Sequence, residues 1–218
     1  GTTFIYDPTL PTVSSITVTG VTSGQYGTST GTYTVIVTTS ETVASAPTLS
    51  LAGGAVGGGT GSSSDTVWTY TFTPTDADEA VTIDVAAGAI TDSAGNDNTA
   101  AATQFAFTHD ATKPTASAVT IAVSGSGNAN HGDVVTLTID PSETIGAPTC
   151  TWTDGSGAMS DTSVTYATVA ETDHHTAAVT VDNADEDGTI GFSCTFSDTA
   201  GNAVAAAVTS LTSGSAIT

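Results

Sequence analysis

The chain has 218 residues, with 22 acidic residues against a single basic one, Lys113, and a formal net charge of −21. That field repels phosphate backbones and anionic lipid surfaces, which excludes nucleic acid and a negatively charged membrane as partners. No run approaches the roughly 18 apolar residues of a membrane-spanning helix, and no basic n-region opens the chain, so any secretion signal has been removed or lies outside this segment.

In chain order, the first feature is Thr3-Phe4-Ile5-Tyr6 before Asp7, which mirrors Ala106-Phe107-Thr108-His109 before Asp110. Residues 1–6 therefore read as the closing strand of a preceding module. Two origins stay open: a chain cut from a longer array, or Phe4, Ile5 and Tyr6 completing a neighbouring copy by β-strand addition. Period-two alternation then predicts strands at 13–20, 32–38, 47–52, 66–73, 80–86 and 102–108. Trp68, Tyr70 and Phe72 alternating with threonines give the clearest half-buried strand, whereas Ile36 spoils the pattern around Tyr33, Val35 and Val37. The Gly/Ser stretch 53–64 reads as a surface loop. Further strands are expected at 117–123, 133–140, 148–153, 163–169, 176–182, 189–197 and 203–209. Six or seven short strands per half, with no helical periodicity, predict two immunoglobulin-like β-sandwiches in tandem.

The halves are copies. Asp7-Pro-Thr-Leu-Pro11-Thr returns as Asp110-Ala-Thr-Lys-Pro114-Thr, Ser40-Glu41-Thr42 as Ser142-Glu143-Thr144, Ala77-Asp78-Glu79 as Ala184-Asp185-Glu186, and Asp92-Ser-Ala-Gly-Asn96 as Asp198-Thr-Ala-Gly-Asn202. The offsets of 103, 102, 107 and 106 residues exceed any solenoid period and mark repeated whole domains. The expected division is module one over 7–109 and module two over 110–210, joined by an Asp-x-Thr-x-Pro linker, with 211–218 a C-terminal tail or linker.

Sandwich topology brings the first strand's start, the second-to-third loop and the sixth-to-seventh loop to one pole. Asp7, Glu41, Asp92 and Asn96 are expected to meet there in module one, and Asp110, Glu143, Asp198 and Asn202 in module two. Asp76 and Asp78, at the opposite pole of module one, are expected to add a ligand near Asp110. An all-oxygen set with no lysine or arginine to neutralise it suits calcium. The competing reading is that these acids cap turns, since Asp and Asn before Gly bond their own backbone. The acidic loop 182–187 at the far end of module two is a weaker site of the same kind.

His174-His175, beside Glu171 and Asp173, reads as an exposed loop pair. Adjacent strand residues face opposite ways and rarely ligate one ion, and His109 and His131 have no partner visible in sequence. No Gly-x-Ser-x-Gly elbow, phosphate loop or core carboxylate pair appears, so no enzyme is expected.

The entry Asp-x-Thr-x-Pro, the strand Trp68-Thr-Tyr-Thr-Phe72-Thr-Pro74 and the run Val81-Thr-Ile-Asp-Val85-Ala-Ala-Gly-Ala-Ile-Thr-Asp92-Ser-Ala-Gly-Asn96 resemble bacterial immunoglobulin-like domains. The resemblance implies extender modules of large surface adhesins and related secreted proteins, hence an extracellular or cell-surface location. Module two departs from it in its cysteines and its 154–175 stretch. Cys150 and Cys194 each share a strand face with a core aromatic. They are either two buried thiols or a disulfide, which the extracellular reading favours. The function expected is a structural spacer or filament-building repeat stiffened by calcium at module junctions, with neighbouring copies as partners. The alternative is a carbohydrate- or protein-binding module acting through the atypical loops of module two.

Overall fold

A computed structural model describes residues 6–218 apart from 25, 29–31, 62–64, 75–77, 126–127, 156, 162 and 170–173. The chain divides into two compact units, residues 1–112 and 113–218, and the described residues form strands, with no helix among them.

In the first unit, β1 (Val13–Val18), β3 (Tyr33–Thr39), β6 (Val67–Thr73) and β5 (Ala55–Val56) make one sheet in the order β1-β3-β6-β5. β2 (Tyr26–Thr28), β8 (Phe105–Asp110), β7 (Glu79–Val85) and β4 (Leu49–Ala52) make the other, in the order β2-β8-β7-β4. All pairs are antiparallel except β2 with β8, which run parallel from Tyr26 opposite Thr108 to Thr28 opposite Asp110. This is an immunoglobulin-like sandwich. Alternation fills its centre: Val35 and Val37 of β3, Phe72 of β6, and Val81, Ile83 and Val85 of β7 are fully buried. The Tyr33 ring meets Phe107 edge-on at 5.2 Å and stacks on Phe72 at 5.8 Å. Ile36, which breaks the alternation, lies half-buried on the outer face between Thr17 and Thr69.

The stretch 53–64, expected as a loop, is partly sheet. Ala55 pairs with Thr73 and Thr60 with Thr69. Several of its glycines are there for contact. A Cβ on Gly54, whose φ is 141°, would lie 2.5 Å from the Phe72 ring, and one on Gly61 would lie 2.7 Å from the Trp68 ring. The backbone therefore packs directly on the aromatics of β6. The short β2 has no signal in the sequence pattern.

The second unit holds β9 (Ala116–Val123), β10 (Val134–Pro141), β11 (Thr149–Thr153), β12 (Thr165–Val169), β13 (His174–Thr180) and β14 (Gly191–Thr195). They form the sheets β12-β13-β10-β9 and β11-β14. Val135, Leu137 and Ile139 of β10 pack with Trp152, Phe192 and Cys194. The strand expected at 203–209 is reduced to bridging contacts. Val208 and Cys194 exchange backbone hydrogen bonds at 2.8 and 3.0 Å, and Val204 N donates to Phe196 O, but residues 205–206 bend away. Residues 211–218 belong to this unit instead of forming a free tail. Leu211 and Ile217 pack on its core, and Thr212 exchanges hydrogen bonds with Val119.

Candidate metal centre

At the entry pole of the first unit, Val43 bridges Asp92, and the turn 92–96 folds back so that Asp92 N donates to Asn96 O. Gly95, at φ 92°, supplies the left-handed residue this turn requires. The Asp92 carboxyl is buried, and its Oδ1 accepts from the N–H groups of Ala94 and Asn96, both at 2.8 Å. Burial pushes its pKa up, but the donors from Asn96, Ala94 and Gly95 together outweigh that and hold it below the usual aspartate range.

One carboxylate oxygen each of Asp7, Glu41 and Asp92 lies within 4.8 Å of the others. Glu41 follows β3 and is half-buried, and its Oε1 is shut off from solvent without a hydrogen-bond partner. Burial, then the charges of Asp7 and Asp92, raise its pKa. Three carboxylates with an orphaned oxygen fit a hard cation with oxygen ligands, calcium in particular, because such an ion relieves both the repulsion and the missing partner.

Asn96, expected as an oxygen ligand, reaches the cluster with its amide nitrogen as a donor. Its Nδ2 donates to Asp92 Oδ2 at 2.8 Å, to the main-chain oxygen of Asp7 at 2.9 Å and to that of Thr9 at 3.1 Å. Asn96 therefore fastens the entering chain to the turn. Asp7 Oδ1 in turn accepts from Thr9 N, an Asx turn that shapes the same segment.

The second unit repeats the scaffold. Ile145 bridges Asp198, Asp198 N donates to Asn202 O, and Asn202 Nδ2 donates to Asp198 Oδ2 at 2.9 Å. Asp198 and Asn202 are buried and Glu143 is half-buried. Asp110, the counterpart of Asp7, ends β8 of the first unit, and its Oδ1 accepts from Thr112 N at 3.1 Å.

Asp78, expected as a metal ligand, serves the chain's exit from the first unit. Its Oδ1 accepts from Ala111 N at 2.6 Å and Thr112 N at 3.0 Å, and its Oδ2 from Thr112 Oγ1 at 2.6 Å. The Thr112 hydroxyl, then the Ala111 N–H, hold its pKa low. Asp76, Phe4 and Ile5 lie outside the described residues, and Tyr6 is 87% exposed.

Cys150 and Cys194 are disulfide-bonded, directly opposite each other on β11 and β14. The bond lies within one sheet. On the outer edge of β11, the Tyr166 hydroxyl accepts from Cys150 N at 2.9 Å and faces Cys150 O at 3.3 Å. The histidine pair is not in a loop but opens β13. His174 pairs with Asp140 on the outer face, while His175 is buried with Nδ1 3.2 Å from Thr168 Oγ1. His109 is buried as well, 3.3 Å from the Tyr33 hydroxyl.

Sequence reasoning missed Asn98. It is buried, donates from Nδ2 to Ala86 O and Ala100 O, and accepts from Ile90 N, which ties together the long β7–β8 connection. Comparing the halves hides it, since Asn202-Ala-Val-Ala has no second asparagine.

Among solved structures, eight chains match. One titled "Marsupial T cell receptor" is 10% identical, with a TM-score of 0.34, covering 96% of this chain and 100% of its own. Another, "Tandem Ig repeats of Dlar", is 12% identical, with a TM-score of 0.22, covering 89% and 95%. No curated protein matches the sequence. The family model of the bacterial Ig-like domain matches residues 7–109, from the Asp7 that Asn96 fastens to His109 in β8. Over residues 7–109 the first unit is thus similar to the bacterial Ig-like domain.

Proposed function

We propose that the chain is an extracellular structural repeat, a spacer or filament-building module of a cell-surface adhesin, stalk or fibre, and that Asp7, Glu41 and Asp92 hold calcium. The observation that carries this reading is the meeting of Asp7, Glu41 and Asp92 where the chain enters the first unit. A cation there ties the entering segment to two turns of the sandwich and stiffens it. Glu143 and Asp198 occupy the equivalent elements of the second unit.

Isothermal titration of the full chain with calcium tests the proposal. Saturable heat is expected, with Kd on the order of 10⁻⁴–10⁻³ M as in extracellular modules, and E41Q should weaken it. Neither heat nor any change in melting temperature with chelator would end the calcium proposal.

A second reading, in which the second unit binds a carbohydrate or protein, draws on one observation. A cavity of about 580 Å³ opens among its far-pole loops, lined by Asn128, Asn130, His131, Asp185 and Glu186 over Met159. The volume suits a small ligand. Glycan-array binding lost on H131A would favour this reading, and an empty array would leave the glycan arm without support.

A further inference from the structure

We infer that residues 1–6 of a second copy of this chain dock as a strand on the outer edge of β14, at the far-pole cavity of the second unit. The inference names the partner in the filament-building reading above and rests on that reading.

The first unit shows what such an edge takes. There the closing strand β8 lies along β7, with Phe105 opposite Ile83, Phe107 opposite Val81 and His109 opposite Glu79. Its inward rings fill the exit pole, where Phe107 meets Tyr33 and Phe72 edge-on and His109 meets Tyr33. The approach to that strand opens with a bond from Ala102 N to Val85 O.

The second unit starts the same ladder and does not finish it. Val208 stands where Ala102 does and exchanges bonds with Cys194. Counting on from there, Phe105, Phe107 and His109 become Leu211, Ser213 and Ser215. Serines in place of the inward rings remove the apolar area that would hold a strand down, and the chain leaves β14 so that Thr212 bonds Val119 instead. Strand parity turns the Phe192 N–H and C=O to the same edge as those of Cys194, and no described residue bonds them there. The chain returns at Ile217, whose oxygen accepts from Ile190 N at 2.9 Å. The core beside this edge is thinner as well. Val135, seven residues before Ser142, holds the place of Tyr33, seven before Ser40. Val179 faces it where Phe72 faces Tyr33. The cavity of about 580 Å³ opens at this pole over Met159, Val181 and Ile190.

The missing pattern stands at the other end of the chain. Thr3-Phe4-Ile5-Tyr6-Asp7 reproduces the spacing of Ala106-Phe107-Thr108-His109-Asp110, with rings at the two inward positions. Tyr6 is 87% exposed, so its ring has no place in the core of its own unit. Residues 1–6 carry no charged side chain, whereas the cavity rim holds Asp154, Asp182, Asp185 and Glu186. An uncharged segment meets that rim without the repulsion that the rest of so acidic a chain would bring. Docking gives Phe192 a backbone partner, replaces the single bond from Ile217 with a ladder, and sets Phe4 and Tyr6 into the cavity, in the manner of β-strand addition.

Sedimentation of the full chain up to millimolar concentration tests the docking, at high salt to screen repulsion between acidic copies. Head-to-tail oligomers that lengthen with concentration are expected. F4S/Y6S removes the donor rings without touching either core, and A129W fills the acceptor cavity, which Ala129 lines. Each variant alone is expected to stay monomeric. Mixed, they are expected to form a dimer and nothing larger, because A129W still donates and F4S/Y6S still accepts. Should A129W fail to fold, a synthetic peptide of residues 1–7 replaces it, and is expected to bind F4S/Y6S and to break up the parent oligomers. A parent chain that stays monomeric throughout would overturn the inference. Oligomers that persist in F4S/Y6S would do the same, since they would come from paired β14 edges or another occupant of the cavity. So would a mixture of folded variants that yields no dimer, or a peptide that does not bind. Calcium titration and sedimentation are read separately: oligomers without calcium heat end the calcium proposal alone, and calcium heat from a lasting monomer ends the docking alone.

Discussion

Asn96 donates from Nδ2 to the main-chain oxygen of Asp7 at 2.9 Å, across 89 residues of sequence. The Asp-x-Ala-Gly-Asn turn thereby does two jobs: its own hydrogen bonds close it, and its last side chain fixes the direction of the incoming chain. N96A is expected to cost about 1–2 kcal/mol in urea unfolding, since three modest hydrogen bonds go and water replaces some of them. N98A should cost more, about 2–4 kcal/mol, because its site is buried and two carbonyls and an N–H lose their partner at once. Equal midpoints for the two variants would count against this division between surface fastener and buried strut.

The acids at the entry pole respond to pH in opposite senses. The Asp92 pKa is depressed on folding, so its contribution is present above the ordinary aspartate value and fades as pH falls through the lower folded value. The Glu41 pKa is raised, so its ionisation opposes folding. Stability therefore rises as pH falls through that raised value toward the ordinary glutamate range. E41Q without calcium should be more stable than the parent at neutral pH, and adding calcium should reverse the order. Thermal melts across pH with and without chelator check both. An E41Q melt that tracks the parent in both conditions would mean that Glu41 carries no strain for a cation to relieve.

The repeat made the pole legible from the sequence. Acids that return at the same offset in a sandwich fall on equivalent turns, and Asp7, Glu41 and Asp92 meet as that topology requires. Strand alternation likewise placed Trp68, Tyr70 and Phe72 inside. What alternation lacks is the backbone's own packing. Gly54 and Gly61 lie against aromatic rings, and a glycine run that packs has the same composition as one that is solvated. Residues 203–209 show the converse, where Val204 and Val208 fall in step on one face but continuous pairing is lost. The roles of Asn96 and Asp78 were hidden for another reason. An amide presents oxygen or nitrogen, and a carboxylate accepts from metal or backbone equally well, so residue type alone left the chemistry open.

The disulfide and Tyr166 act on the same strand. Closing a loop across 44 residues contributes about 4 kcal/mol on the chain-entropy model, so reduction is expected to lower the second unit's stability by about that amount and leave the first unit unaltered. Y166F removes the hydroxyl that covers the Cys150 N–H and C=O on the open edge of β11. Faster hydrogen exchange at Cys150 is expected, with a loss of about 1 kcal/mol. An exchange rate unchanged in Y166F would show that another group protects that edge.

Alkaline pH reports on a buried phenol of the first unit. The Tyr70 hydroxyl donates to Pro47 O at 2.6 Å, inside a core whose burial pushes its pKa up to about 12. In the unfolded chain it ionises near pH ~10. A phenol that resists ionisation when folded contributes stability that is whole below the unfolded value and is lost as pH climbs through the folded one. The first unit is therefore expected to weaken between about pH 10 and 12, with its tyrosinate absorbance rising later than that of an ordinary phenol. Burial raises Tyr33 as well, so two late-titrating phenols are expected in the first unit. Y70F should remove one late step and flatten the alkaline loss, at a cost of about 1 kcal/mol near neutral pH from the bond to Pro47. If absorbance instead rose in one early step while the fold persisted, the phenol would have to reach solvent without unfolding, and its place in the core would be wrong.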